Sequence, residues 1–126
     1  MPRWDFNLTV TNETDRSLEL ISKSVAWGDI SSPQASIAKG KNATYNIYVP
    51  GGIAHGYEFT LVFQDAAPEG GEHYGTLTVY VDVPLTKDNH SSIQATGLLE
   101  TSGWDGSLPK SGHDFAKTLV VSKKRI

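Results

Sequence analysis

A chain of 126 residues with a net charge of −3 and no cysteine suits one domain over residues 1–126, large enough to close a single core without staples. The missing cysteines exclude disulfides, thiolate metal sites and thiol nucleophiles. The acidic balance argues against a nucleic-acid partner, because phosphate backbones recruit basic surfaces.

The first predicted element is "RWDFNLTVT". Trp4, Phe6, Leu8 and Val10 alternate with Arg3, Asp5, Asn7 and Thr9, the period of a half-buried strand, and "NETDRS" follows as a turn. The next strand is less regular. Leu18 and Leu20 share one face, whereas Ile21, Val25 and Trp27 share the other, so the apolar parity changes between Leu20 and Ile21. A bulge at that point restores one core-facing set; the alternative is a strand buried first on one side and then on the other. Trp27 therefore lies in the core or at a sheet end.

Further on, "ATYNIYV" aligns Tyr45, Ile47 and Val49, and "GYEFTLVF" aligns Tyr57, Phe59, Leu61 and Phe63. "GTLTVYVDV" sets Leu77, Val79, Val81 and Val83 against Thr76, Thr78, Tyr80 and Asp82, and "FAKTLVV" brings Phe115, Leu119 and Val121 into phase. The intervening "PGG", "APEGG", "SGWDG" and "LPKSG" carry turn chemistry. No helical window and no repeat interrupts this order, which predicts an all-β chain, an antiparallel β-sandwich or barrel.

The start "MPRWDFNLTV" lacks an apolar signal region, and no apolar run approaches the ~20 residues of a spanning helix. A soluble protein is expected, released without a classical signal peptide. Sequons occur at Asn7, Asn12, Asn42 and Asn89, a short motif of little weight here.

Catalytic signatures are lacking. The histidines at 55, 73, 90 and 113 form no HxH or HExxH pair. His113-Asp114 and the acidic loop Asp65, Glu69, Glu72 with His73 are the nearest approach to a polar constellation, and a solvated turn accounts for the loop. No catalytic residue, metal or cofactor is expected, and the protein is not expected to be an enzyme.

The remaining signal is aromatic. Trp4 is in phase with a core face. Trp104, in "TSGWDGS", is flanked by glycines and polar residues. It is read either as an exposed tip suited to a membrane interface or a sugar, or as a ring folded back over the sandwich end. The basic "SKKRI" ending is read as a fraying solvated tail, or as a segment that meets phosphate headgroups.

Taken in order, an aromatic-led first strand, "VTNETDRSLEL", "AWGDI", "YVDVPLTKDN" and "SGHDFAKTLVVSKK" resemble the aegerolysins, small β-sandwich proteins of fungi and bacteria. Trp4 and Trp27 stand at that family's two N-terminal tryptophan positions, and Asp82, Pro84 and Asn89 match its Trp-Asp-x-Pro-Trp stretch with a downstream Asn. Val81 and Leu85 replace the two tryptophans of that stretch, and Val83 replaces a cysteine.

The resemblance implies binding to membrane lipid headgroups, often those of sphingolipids, at a target-cell membrane. It also implies service as the membrane-binding half of a two-component cytolysin or hemolysin, whose partner is a larger perforin-like (MACPF) protein. Lipid contacts are then expected from Trp27, as a partly exposed ring, and from Trp104, Tyr80, Asp82, Pro84, Leu85, Lys87 and Asn89. With Leu85 in place of tryptophan, the lipid preference is expected to differ from the family's best-known members. Two other readings compete: a lectin-type sandwich using Trp104, Tyr80, Asp82 and Asn89, and a structural β-domain in which every aromatic is core.

Overall fold

The computed structural model describes residues 2–125. Among them no helix forms. Ten strands follow one another: β1 (Trp4–Asn12), β2 (Leu18–Trp27), β3 (Asp29–Ile30), β4 (Ser36–Ile37), β5 (Asn42–Val49), β6 (Tyr57–Asp65), β7 (Thr76–Val83), β8 (His90–Ala95), β9 (Leu99–Gly103) and β10 (Phe115–Lys123). They make two five-stranded sheets, β3-β5-β1-β10-β9 and β4-β2-β6-β7-β8. The fold is the expected all-β sandwich.

One detail departs from a purely antiparallel arrangement. β1 and β10 run parallel, from Phe6 opposite Phe115 to Asn12 opposite Val121. A parallel pair needs a long crossover, and here most of the chain supplies it. The first and last long strands therefore sit side by side in the middle of one sheet.

The period-two runs face each other as the inner layers. Phe6 lies at their centre, with ring centroids 5.4 Å from Phe59, 6.2 Å from Tyr57, 6.1 Å from Phe115 and 5.8 Å from Trp104. Tilted and edge-on contacts of this kind add to the burial of the rings themselves. Trp4 is buried, as its phase predicts.

The parity change in β2 is a bulge. Leu20 pairs with Phe63 and Ser22 with Val62, so Ile21 is skipped and stands 51% exposed. A second register shift falls between Val25 and Trp27. Val25 lies opposite the buried Phe59, while Trp27 lies opposite the outward-facing Glu58. The second shift thus turns the tryptophan off the core face, because a one-residue slip reverses side-chain direction.

Register also decides which loops meet. Trp4 pairs with Val49, Phe6 with Phe115, Tyr57 with Val83, and His90 with Asp82. The loops 50–56, 84–89 and 104–114 therefore gather at one end of the sandwich together with Trp27.

The opposite end is closed by polar clamps. The Asp65 carboxylate accepts bonds from the Tyr74 and Gly75 N–H groups at 2.8 and 3.1 Å and from Arg16 at 2.8 Å. The acidic loop that came nearest to a polar constellation is thus a structural turn anchored to the β1–β2 connection. Burial pushes the Asp65 carboxyl up, but these donors outweigh it and hold the group below its ordinary value. The "SKKRI" ending also lies at this end. Ser122 and Lys123 are paired strand residues and the Lys124 N–H bonds the Leu98 carbonyl, so the segment is not frayed through Lys124; Ile126 lies outside the described residues.

Candidate functional site

The site is built around the turn that follows Trp27. Gly28 carries the chain from one sheet to the other with φ at +92°, and a Cβ there would lie 2.9 Å from the Tyr48 carbonyl oxygen. The glycine is required on both counts, and it fixes Trp27 at the rim. Trp27 is 58% exposed, with its ring tilted against His55 at 5.4 Å.

Beside it opens a cleft of about 350 Å³ lined by Trp27, Ala54, His55, Gly56, Tyr57, Glu58, Asp82, Pro84 and Leu85. Gly56 lets the chain pass against β7, since a Cβ there would fall 2.0 Å from the Val83 carbonyl oxygen. Asp82 lies directly opposite Glu58 on one side and His90 on the other. Burial and the facing Glu58 charge push the Asp82 carboxyl above its ordinary value, with His90 pulling the other way. Tyr80 donates its hydroxyl to Glu58 Oε2 at 2.5 Å. That bond, with burial and the nearby acids, pushes the Tyr80 phenol up to about 12.

A second cleft, of about 230 Å³, shares Pro84 and Leu85 with the first and has Lys87, Asp88 and Lys110 on its walls. Its floor is Trp4, whose indole stacks on His113 at 4.2 Å and 4°. His113 Nδ1 also lies 3.1 Å from Asp114 Oδ2. This is a ring-stacking cap over the core. Among the described residues no group of three or more His, Asp or Glu is placed to hold a metal.

Of the residues singled out in the sequence, Trp27, Asp82, Pro84 and Leu85 line the first cleft, and Lys87 is an exposed wall of the second. Tyr80 is adjacent, through Glu58. Two of them have a different place. Trp104 is 8% exposed, packs against Phe6 and donates its Nε1–H to the Ser107 carbonyl at 2.7 Å. It is core, not a loop tip, because the 104–107 turn folds the ring back under itself. Asn89 is 7% exposed, and its Nδ2 donates to the Pro109 and Gly112 carbonyls at 3.1 and 2.9 Å. It ties loop 84–89 to loop 104–114 and has no amide hydrogen left for a ligand. The lectin set of Trp104, Tyr80, Asp82 and Asn89 is thereby broken up.

Sequence reasoning missed Ile53, His55 and Glu58. Ile53, 40% exposed in loop 50–56, carries no period; the only available signal was a lone apolar residue in the glycine-rich "PGGIAHG".

No protein-family model matches the chain, and a search of curated proteins finds no match. Solved structures do match. The fold is shared with proteins already known. IP-1A from Alcaligenes faecalis is 14% identical, with a TM-score of 0.75 over 97% of this chain and 92% of that one. RahU, solved in complex with a Tris molecule, is 12% identical, with a TM-score of 0.72 over 98% and 97%. The lipid-binding protein Nakanori is 10% identical, with a TM-score of 0.59 over 97% of this chain and 71% of that one. At such identities the likeness is one of fold. No helix among the described residues is long and apolar enough to cross a membrane.

Proposed function

We propose that this protein is an aegerolysin-like module that recognises membrane lipids, with the Trp27 end of the sandwich turned to the bilayer. One observation carries the reading. Among the described residues four large hydrophobic side chains are exposed, and three of them, Trp27 (58%), Ile53 (40%) and Leu85 (41%), stand at this one end. Scattered exposed apolar residues need no explanation, but a set gathered around a cleft marks an interaction site. An indole at the rim suits the half-wet, half-apolar interface of a bilayer. The shared fold with a lipid-binding protein supports the same reading.

A sphingolipid is the lipid class that the aegerolysin resemblance favours. A larger perforin-like partner would supply the pore. The module itself docks and stops, because the long strands β6 and β7 give their apolar faces to the sandwich core. Transmembrane strands of ~9–11 residues need such a face for lipid.

The test is vesicle sedimentation with Trp27→Ala beside a glycan array. Loss of one well-inserted ring costs on the order of one to three kcal/mol, so binding should weaken about tenfold or more while the fold is retained. Unchanged vesicle binding by Trp27→Ala removes this end from the site, and glycan binding alone restores the lectin alternative. Dye release checks the second half. The purified protein should bind and release little; complete release without a partner refutes the two-component arrangement.

A further inference from the structure

We infer that Lys23 guards the open edge of β2, and that the surface it guards fits one partner, a second copy of this chain added strand to strand. The edge of a sheet carries unpaired N–H and C=O groups that a further strand can bond. Three of the four edges here offer little. β3 and β4 are two residues long, and β9 is five, with Glu100 exposed on it. β8 is crossed by the 104–114 loop, through the Ser91 hydroxyl on the Gly106 carbonyl at 2.6 Å and the Asn89 N–H on the Lys110 carbonyl at 2.9 Å. The fourth edge belongs to β2 beyond the reach of β4. β4 pairs with β2 at Leu18 and Glu19, and the Leu20 N–H bonds the Ala35 carbonyl. From Ile21 to Trp27 the one strand paired with β2 among the described residues is β6.

That stretch is apolar enough to recruit a strand. Ile21 and Trp27 stand exposed at its two ends, and Val25 is only partly buried. Lys23 is the one charge in "LISKSVAW"; without it the run has the composition of strands that pair with their own copies. Its place is telling. Lys23 lies opposite the buried Leu61, in the core-facing column of β2, and yet is exposed. None of the ion pairs among the described residues includes it. A lysine in such a column reaches water by running its stem out past the edge. A docked strand closes that path and leaves the ammonium without water or counter-charge, one of the costliest states a side chain can take. Register shifts on either side, at Ile21 and Ala26, bend the edge, so Lys23 sits in the regular stretch that a partner meets. A second copy is the partner because the run complements itself. Turned antiparallel about Ser24, Ile21 of one copy meets Trp27 of the other, and each Lys23 meets a Val25 with no acid in reach. Such a pair also covers Trp27, so the same lysine keeps that end of the sandwich free.

The experiment compares Lys23→Val with Lys23→Glu and needs no lipid. A valine opposite Leu61 suits a core-facing strand position, so the melting temperature should stay at or above that of the wild type. Both substitutions make the net charge of −3 more negative, which by itself opposes association. Sedimentation velocity should show monomers for the wild type and for Lys23→Glu. Lys23→Val should form dimers or larger species, with self-association tighter by about a hundredfold. Hydrogen exchange on the associated form should show new protection within residues 21–27. Lys23→Thr, neutral and equally suited to a strand, should associate in the same way and carries the test if the valine variant melts lower. Neutral variants that stay monomeric over the same concentrations overturn the guard. So does association without new protection at 21–27, or association of Lys23→Glu as strong as that of Lys23→Val. A wild type already paired through 21–27 overturns it also.

Discussion

Replacing Trp104 by alanine separates two tryptophans that look alike in the sequence, each standing next to a glycine. Trp104 is 8% exposed and lies against Phe6 at 5.8 Å. A buried indole removes ~150–250 Å² from water, and truncation of a core tryptophan typically costs ~3–5 kcal/mol. The lost bond from Nε1–H to the Ser107 carbonyl adds about 1 kcal/mol, while partial collapse of the 104–114 loop into the space left takes some of the loss back. We expect a net cost of about 4 kcal/mol, a large share of the ~5–15 kcal/mol that holds a typical domain together. For a chain of 126 residues that lowers the melting temperature by roughly 10–15 °C. Thermal melts and urea titrations should agree, with the midpoint shifted and the slope unchanged. Trp104→Phe, which keeps a ring but loses the donor, should fall in between. Trp27→Ala, at a 58% exposed position, should stay within about 1 kcal/mol of wild type. A Trp104→Ala protein that melts within a few degrees of wild type would refute the placement of this ring in the core.

Asn89→Ala leaves the Pro109 and Gly112 carbonyls without their donor and should cost ~2–3 kcal/mol; faster amide exchange across residues 109–113 is the signature, and unchanged exchange there counts against the clamp. Gly56→Ala drives a methyl to within 2.0 Å of the Val83 carbonyl oxygen and should destabilise by ~3 kcal/mol or more, whereas a variant that folds as well as wild type denies this close approach. The Asp65 carboxyl lies below its ordinary value in the folded state, so its stabilising contribution is complete above the unfolded value of ~3.9 and is lost as pH falls through the folded one. Urea titrations between neutral pH and pH 2 should show stability dropping steeply at the acid end, and Asp65→Asn, less stable at neutral pH, should show a shallower drop; equal slopes would assign the acid sensitivity to other carboxylates.

Local alternation made most of the fold legible in the sequence. Successive side chains on a strand point to opposite faces, so Trp4 to Val10, Tyr57 to Phe63 and Leu77 to Val83 declare a buried face before any partner is known. The change of parity at Leu20 and Ile21 marked the bulge for the same reason. "HSSIQA" and "LETSG" carry too few apolar residues to show a period. They are strands because β7 and β10 offer them backbone partners, which composition does not record.

The site was legible only in part. Trp27, Asp82, Pro84 and Leu85 do meet, yet nothing local says that loop 50–56 joins them through Ala54 and His55, or that β6 brings Glu58 opposite Asp82. Trp104 sits in glycine-rich and Asn89 in polar sequence, and both read as surface; the Phe6 ring buries the first, and two distant carbonyls hold the second. Whether a side chain on a turn is a contact or a support depends on which loops the register of two sheets brings to one end. Those pairings join residues as far apart as Phe6 and Phe115, so only the tertiary structure decides it.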